Sequence, residues 1–145
     1  MITRTDVNAL EQRCFDLTNR QRTRRRLRPL AADAALSDAA RRHSEDMLRR
    51  RFFAHTNPDR QSPGDRIAAA IRRPVRASAE NLWMRSGSVP STILFVTIEE
   101  AVAQLMTSPA HRHNIMNAVY THLGIGVAVT ASELRVTQLF ARFES

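Results

Sequence analysis

The sequence predicts an α+β fold with helices first and antiparallel strands last. Two observations carry this. Apolar residues recur at helical spacing in four stretches before residue 117, and two later runs alternate with period two about a short turn. A doubly wound parallel sheet would interleave strands and helices along the whole chain.

Val7, Leu10, Cys14 and Leu17 stand at i, i+3, i+7 and i+10 and predict a first helix from Asp6 to Arg26. Thr5 is its expected N-cap, and Pro29 closes its charge-dense exit. A second helix is expected from Ser37, capping with its hydroxyl, to Arg51, with Leu36, Ala40, His43 and Met47 turned inward. Small residues at Ala35, Ala39 and Ala40 predict close packing against another element. In the loop that follows, Phe52 and Phe53 are expected to plug the core and hold His55 at its edge. Ser62-Pro63-Gly64-Asp65-Arg66-Ile67 opens a short third helix that ends before Pro74.

Glu80-Asn81-Leu82-Trp83 reads as one more strand or a strand-like loop. Thr97-Ile98-Glu99-Glu100 has the form of a capping box, opening a helix with Ile98, Val102, Leu105 and Met106 on one face. Ser108-Pro109 stops it and starts a short helix from Ala110 to Met116. Leu123, Ile125, Val127 and Val129 then alternate with Gly124, Gly126 and Ala128. After a turn near Ala131-Ser132, Leu134, Val136, Gln138 and Phe140 alternate again, which completes a hairpin. The small-residue face of its first strand predicts close approach of another backbone or a ligand.

A chain of 145 residues, 43% hydrophobic and 25% charged, is expected to form one domain over 1–145. No apolar run, Ile93 to Val96 included, approaches the ~18 residues that span a bilayer. The start, Met1-Ile2-Thr3-Arg4-Thr5-Asp6, has no apolar core of a signal peptide, so the expectation is a cytoplasmic protein or a trimmed chain. The single Cys14 excludes an internal disulfide framework and reads as a small buried hydrophobe. The net charge of +8 comes from 22 basic residues, all arginine. Residues 1–76 hold 18 of them against nine acids, and residues 77–145 hold four against five. Such asymmetry is one signature of an anionic-surface or nucleic-acid binder, here through Arg22, Arg24, Arg25, Arg26 and Arg28. The complete absence of lysine points instead to codon bias, and no aromatics interleave that run, so a nucleic-acid partner is not expected.

P-loop, GxGxxG, HExxH, GxSxG and CxxC patterns are absent. Several blocks nevertheless carry a resemblance in order along the chain. Leu17-Thr18-Asn19-Arg20-Gln21-Arg22 is followed by Leu30 with Leu36 and by His43-Ser44-Glu45-Asp46-Met47. Next come Phe52-Phe53-Ala54-His55-Thr56, Ala79-Glu80-Asn81-Leu82 and Ser108-Pro109-Ala110-His111-Arg112-His113-Asn114-Ile115-Met116-Asn117. Tyr120-Thr121-His122-Leu123-Gly124-Ile125-Gly126 and Val136-Thr137-Gln138-Leu139-Phe140 close the series. Together they resemble the bacterial CAP superfamily, also called SCP-like, over about residues 10–141.

The resemblance implies a three-layer α-β-α sandwich, with a central mostly antiparallel sheet and a cleft on one side. It implies that His55, Glu80 and His111 are cavity residues, and that His55 and His111 bind a divalent metal, zinc above others. The residues agree in chemistry: two imidazoles and a carboxylate are adequate for an open zinc site. Their spacings of 25 and 31 residues carry no local ligand signature. Where many relatives carry a second cavity glutamate, this chain has Leu105-Met106-Thr107-Ser108, so the set is incomplete. Asn114 and Gln138 can line the cleft, although both more readily satisfy buried backbone groups. His43 is expected in the core, His113 exposed, His122 at a surface or strand cap, and Trp83 in the core or at the rim.

Two functions follow. The first is a binding module holding a divalent metal and a small or lipid-like ligand, since no serine, cysteine or threonine nucleophile is placed beside a histidine by a recognisable motif. The second is a metal-assisted hydrolase, a peptidase or esterase, with Glu80 as general base. The resemblance also implies an extracellular or cell-envelope location, and a monomer is expected.

Overall fold

In a computed structural model that describes residues 2–144, five helices and four strands follow in the order α1 (Arg4–Thr23), β1 (Ala31–Ala32), α2 (Ala34–Arg49), α3 (Pro63–Ala70), β2 (Val75–Ser86), α4 (Leu94–Thr107), α5 (Pro109–Met116), β3 (His122–Val129) and β4 (Glu133–Phe143). The strands form one sheet in the order β1-β3-β4-β2. β3 and β4 are the expected hairpin, and β2 pairs antiparallel with β4, setting Glu80 opposite Leu139 and Asn81 opposite Gln138. The short β1 pairs parallel with β3, so the sheet is mixed.

Alternation along the strands divides the core in two. Leu123, Ile125, Val127, Leu134, Val136 and Phe140 face α1, α4 and α5, meeting Leu10, Cys14, Ile98, Leu105 and Ile115. Leu139, Ala141 and Phe143 face the other way and pack with Leu36, Ala39, Ala40 and Ile67 of α2 and α3. The result is the expected three-layer α-β-α sandwich. The glycine face of β3 receives the α2 backbone. A Cβ on Gly124 would meet the Leu36 carbonyl carbon at 2.4 Å, and one on Gly126 would meet that of Ala40 at 2.1 Å.

Several element ends differ from the sequence expectation. α1 begins earlier, because Thr3 rather than Thr5 caps it in a reciprocal box with Asp6. α2 is capped by Asp33, whose carboxylate accepts from the Leu36 amide, so Ser37 lies inside the first turn. α4 begins at Leu94, and Thr97 sits within it, its hydroxyl donating to the Ile93 carbonyl instead of capping. The apolar run from Ile93 to Val96 supplies that extra turn. Of the two adjacent phenylalanines, only Phe52 packs inward, edge-on to the His43 ring at 5.7 Å between centroids; Phe53 is 44% exposed. β2 extends well beyond Glu80–Trp83.

Candidate functional site

β2 is an edge strand, and its two faces receive the candidate residues from two layers. Glu80 turns toward α2 and α3, while Asn81, next in sequence, turns toward α5. His55 comes from the irregular segment between α2 and α3, and His111 from the first turn of α5.

Glu80 is the hub of the first face. Its side chain is 1% exposed, and Oε1 lies 2.9 Å from His55 Nδ1. Arg66, from α3, donates through Nη2 to the same oxygen at 3.1 Å, and its Nη1 lies 2.9 Å from Oε2. The same Nη2 also donates to the His55 main-chain oxygen at 2.7 Å. Behind Glu80, His43 is fully buried, with Nε2 2.9 Å from the Ala54 carbonyl and 4.0 Å from Glu80 Oε1. A carbonyl only accepts, so Nε2 of His43 carries the proton. His43 Nδ1 is buried without a partner.

On the second face, Asn81 Nδ2 donates to the His111 carbonyl at 3.0 Å and to Gln138 Oε1 at 3.1 Å. Asn114 Nδ2 donates to Asn81 Oδ1 at 2.8 Å. Gln138 continues inward, donating to the Thr18 hydroxyl at 2.9 Å, and is fully buried. Asn114 is thus half-buried beside His111, while Gln138 belongs to a polar chain behind the surface. That chain ties α5 to β2 and so fixes the backbone that presents His111.

The three histidines titrate differently. The hydrogen bond to Glu80 raises the His55 pKa above its usual 6.5. Burial lowers His111 below that value, and the nearby charge of His55 lowers it further. Burial also lowers His43. With Nδ1 engaged by Glu80, His55 has Nε2 free, and its side chain is 54% exposed. Two imidazole nitrogens suit a borderline-soft cation such as zinc. Among the described residues, no group of three or more His, Cys, Asp or Glu side chains is arranged to hold a metal ion.

Arg66 and His43 were not nominated as site residues from sequence. The one signal was the position of Arg66 in the capped segment opening α3, which does not by itself say where the side chain reaches. Both also line a groove of about 480 Å³ between α2, α3 and the 57–61 turn. His113 is exposed, and His122 is half-buried against Phe143 at 4.8 Å. Trp83 is buried with its indole donating to Gln104 at 2.8 Å. Burial pushes the Cys14 thiol up to about 12, as befits an inert core residue.

The fold is shared with known proteins. The chain matches the cysteine-rich secretory protein (CAP) family over residues 15–140, and it belongs to that family. It is 33% identical over 128 residues to the uncharacterized protein YkwD of Bacillus subtilis, covering 88% of this chain and 46% of YkwD. An extracellular protein containing an SCP domain from Bacillus anthracis superimposes with a TM-score of 0.78 at 30% identity, covering 98% of this chain and 44% of that one. The chain therefore spans less than half the length of either relative. NaASP2, crystallised with Zn2+, shares the fold with a TM-score of 0.67 at 13% identity, covering 90% of this chain and 78% of its own.

Proposed function

We propose that this CAP domain is a binding module whose cleft holds a divalent cation, zinc by preference, through Nε2 of His55 and the imidazole of His111. The same cleft would also hold a small or lipid-like ligand. The observation that carries this reading is the engagement of Glu80. One oxygen meets both His55 Nδ1 and Arg66, and the other faces Arg66 at 2.9 Å. A carboxylate so placed orients a metal-binding imidazole from behind, leaving the far nitrogen as the ligand. The hydrolase alternative needs the same carboxylate free to take a proton from water, which those partners oppose. When bound, zinc would act as a Lewis acid toward an oxygen ligand. The crystallisation of NaASP2 with Zn2+ supports the pairing of this fold with this metal. The extracellular description of the Bacillus anthracis relative supports a location outside the cytoplasm.

The test is the metal content of the purified protein, followed by zinc titration of wild type and of His55→Ala/His111→Ala. Stoichiometric binding abolished in the double variant is the expected result. Zinc binding that survives the double variant overturns the site. Metal-dependent peptide or ester hydrolysis abolished by Glu80→Gln would replace the binding module with the hydrolase.

A further inference from the structure

His55 lies in a segment without regular structure, and more than half of its side chain faces solvent. Left to itself, such a ring samples several rotamers and exchanges between two neutral tautomers. The constraints come from Arg66. Its own position is set locally, because α3 starts with Pro63 behind a reciprocal capping box of Ser62 and Asp65. From there one guanidinium reaches both ends of His55. Nη2 alone donates both to the main-chain oxygen of His55 and to Oε1 of the Glu80 carboxylate that bonds the ring, while Nη1 stands 2.9 Å from Oε2 without forming a hydrogen bond. His43 does not compete for that carboxylate, since its Nε2 is given to the Ala54 carbonyl at 2.9 Å and stands 4.0 Å from Glu80.

From this geometry we infer that Arg66 is the positioning residue of the site: its guanidinium fixes His55 as the Nδ1–H tautomer and leaves Nε2 free. The arrangement uses one guanidinium nitrogen shared by two acceptors, and not merely a positive charge. A lysine ammonium would neutralise Glu80, but it is a point charge without the rigid plane that sets Nη2 between the Glu80 carboxylate and the His55 carbonyl. Glu80 is 1% exposed, so it requires a cation in any case. The inference deepens the metal-binding reading, but only its zinc arm rests on that reading.

The test compares wild type with Arg66→Lys and Arg66→Met in metal-free protein, at a pH where His55 is neutral. The nitrogen chemical shifts of the His55 ring report its tautomer, and amide hydrogen exchange reports residues 52–58. Wild type is expected to show one tautomer, protonated at Nδ1. Arg66→Lys is expected to fold, to show a tautomer mixture and to exchange those amides faster than wild type. Arg66→Met should do the same or fail to fold; if it fails, the lysine variant alone decides. Zinc affinity should fall by about tenfold or more in Arg66→Lys. A single Nδ1–H tautomer with wild-type exchange in Arg66→Lys, or a mixture already present in wild type, overturns the inference. If wild type binds no zinc while Arg66→Lys still shows the tautomer change, the metal reading is overturned and the role of Arg66 stands.

Discussion

Arg22 lies in the densest cationic run of the chain, yet only 1% of it is exposed. Its guanidinium donates to the carbonyl oxygens of Arg28 at 2.9 Å, Ile115 at 2.8 Å and Asn117 at 2.9 Å. Those carbonyls stand at the exit of α1 and the end of α5, so one side chain joins the two helix ends and secures the helix that carries His111. It is therefore withdrawn from the surface run of Arg24, Arg25, Arg26 and Arg28, which stays exposed. Charged hydrogen bonds to buried acceptors contribute roughly 1.5–3 kcal/mol each. Arg22→Met should destabilise the fold by about 3 kcal/mol, read from the urea midpoint. An unchanged midpoint would mean that water satisfies all three carbonyls. The same residue-level reading applies to His43, whose core placement was legible from its position on the inner face of α2. Its contact with Glu80 was not, because that depends on a strand some 37 residues further on.

At the scale of elements, the α2–β3 contact sets how closely the layers approach. Gly124 and Gly126 on the strand meet Leu36 and Ala40 on the helix, and Ser44 donates to the Gly126 carbonyl at 2.9 Å and pairs with the Thr137 hydroxyl at 2.7 Å. A methyl group at position 126 would collide with backbone, which cannot swing aside as a side chain does. Gly126→Ala should therefore cost at least about 3 kcal/mol, the upper end of overpacking penalties. A loss below about 1 kcal/mol would show that α2 slides freely on the sheet. Both partners of this contact were marked in the sequence, as small residues at helical spacing and as glycines at strand spacing. Their mutual docking was not, since neither pattern names its complement. Glu11 shows the same limit. It sits on α1, pairs with Arg41 of α2 at 2.6 Å, and accepts from the Val127 amide at 3.0 Å, closing the β3 edge beyond the reach of the short β1. A lone glutamate in a helix gives no local sign of that role.

For the whole molecule, the histidines impose a pH dependence with two limbs. His43 and His111 have lowered pKa values, so between those values and 6.5 the unfolded chain binds more protons. Their contribution is present above 6.5 and is lost as pH falls. His55 has a raised pKa, so its contribution is present below 6.5 and is lost as pH rises through the folded value. Between pH 5 and 8, stability should peak near 6.5. His43→Gln should flatten the acid limb and His55→Gln the alkaline one, measured by denaturation at each pH. A monotonic profile would show that these histidines do not couple to folding.

The sequence by itself determined the α+β class, the positions of the helices and the hairpin to within a turn, and the candidate trio of His55, Glu80 and His111. These rest on local period, turn chemistry and ordered motif blocks, all of which a single chain displays. The tertiary structure decided the surroundings of the trio. It placed Arg66 against Glu80, turned Asn81 to the opposite face, buried Gln138 behind it, and paired the two-residue β1 parallel to β3. Each of those outcomes is a contact between segments distant along the chain. Such a contact is selected by the packing of whole layers, so no window of sequence contains it.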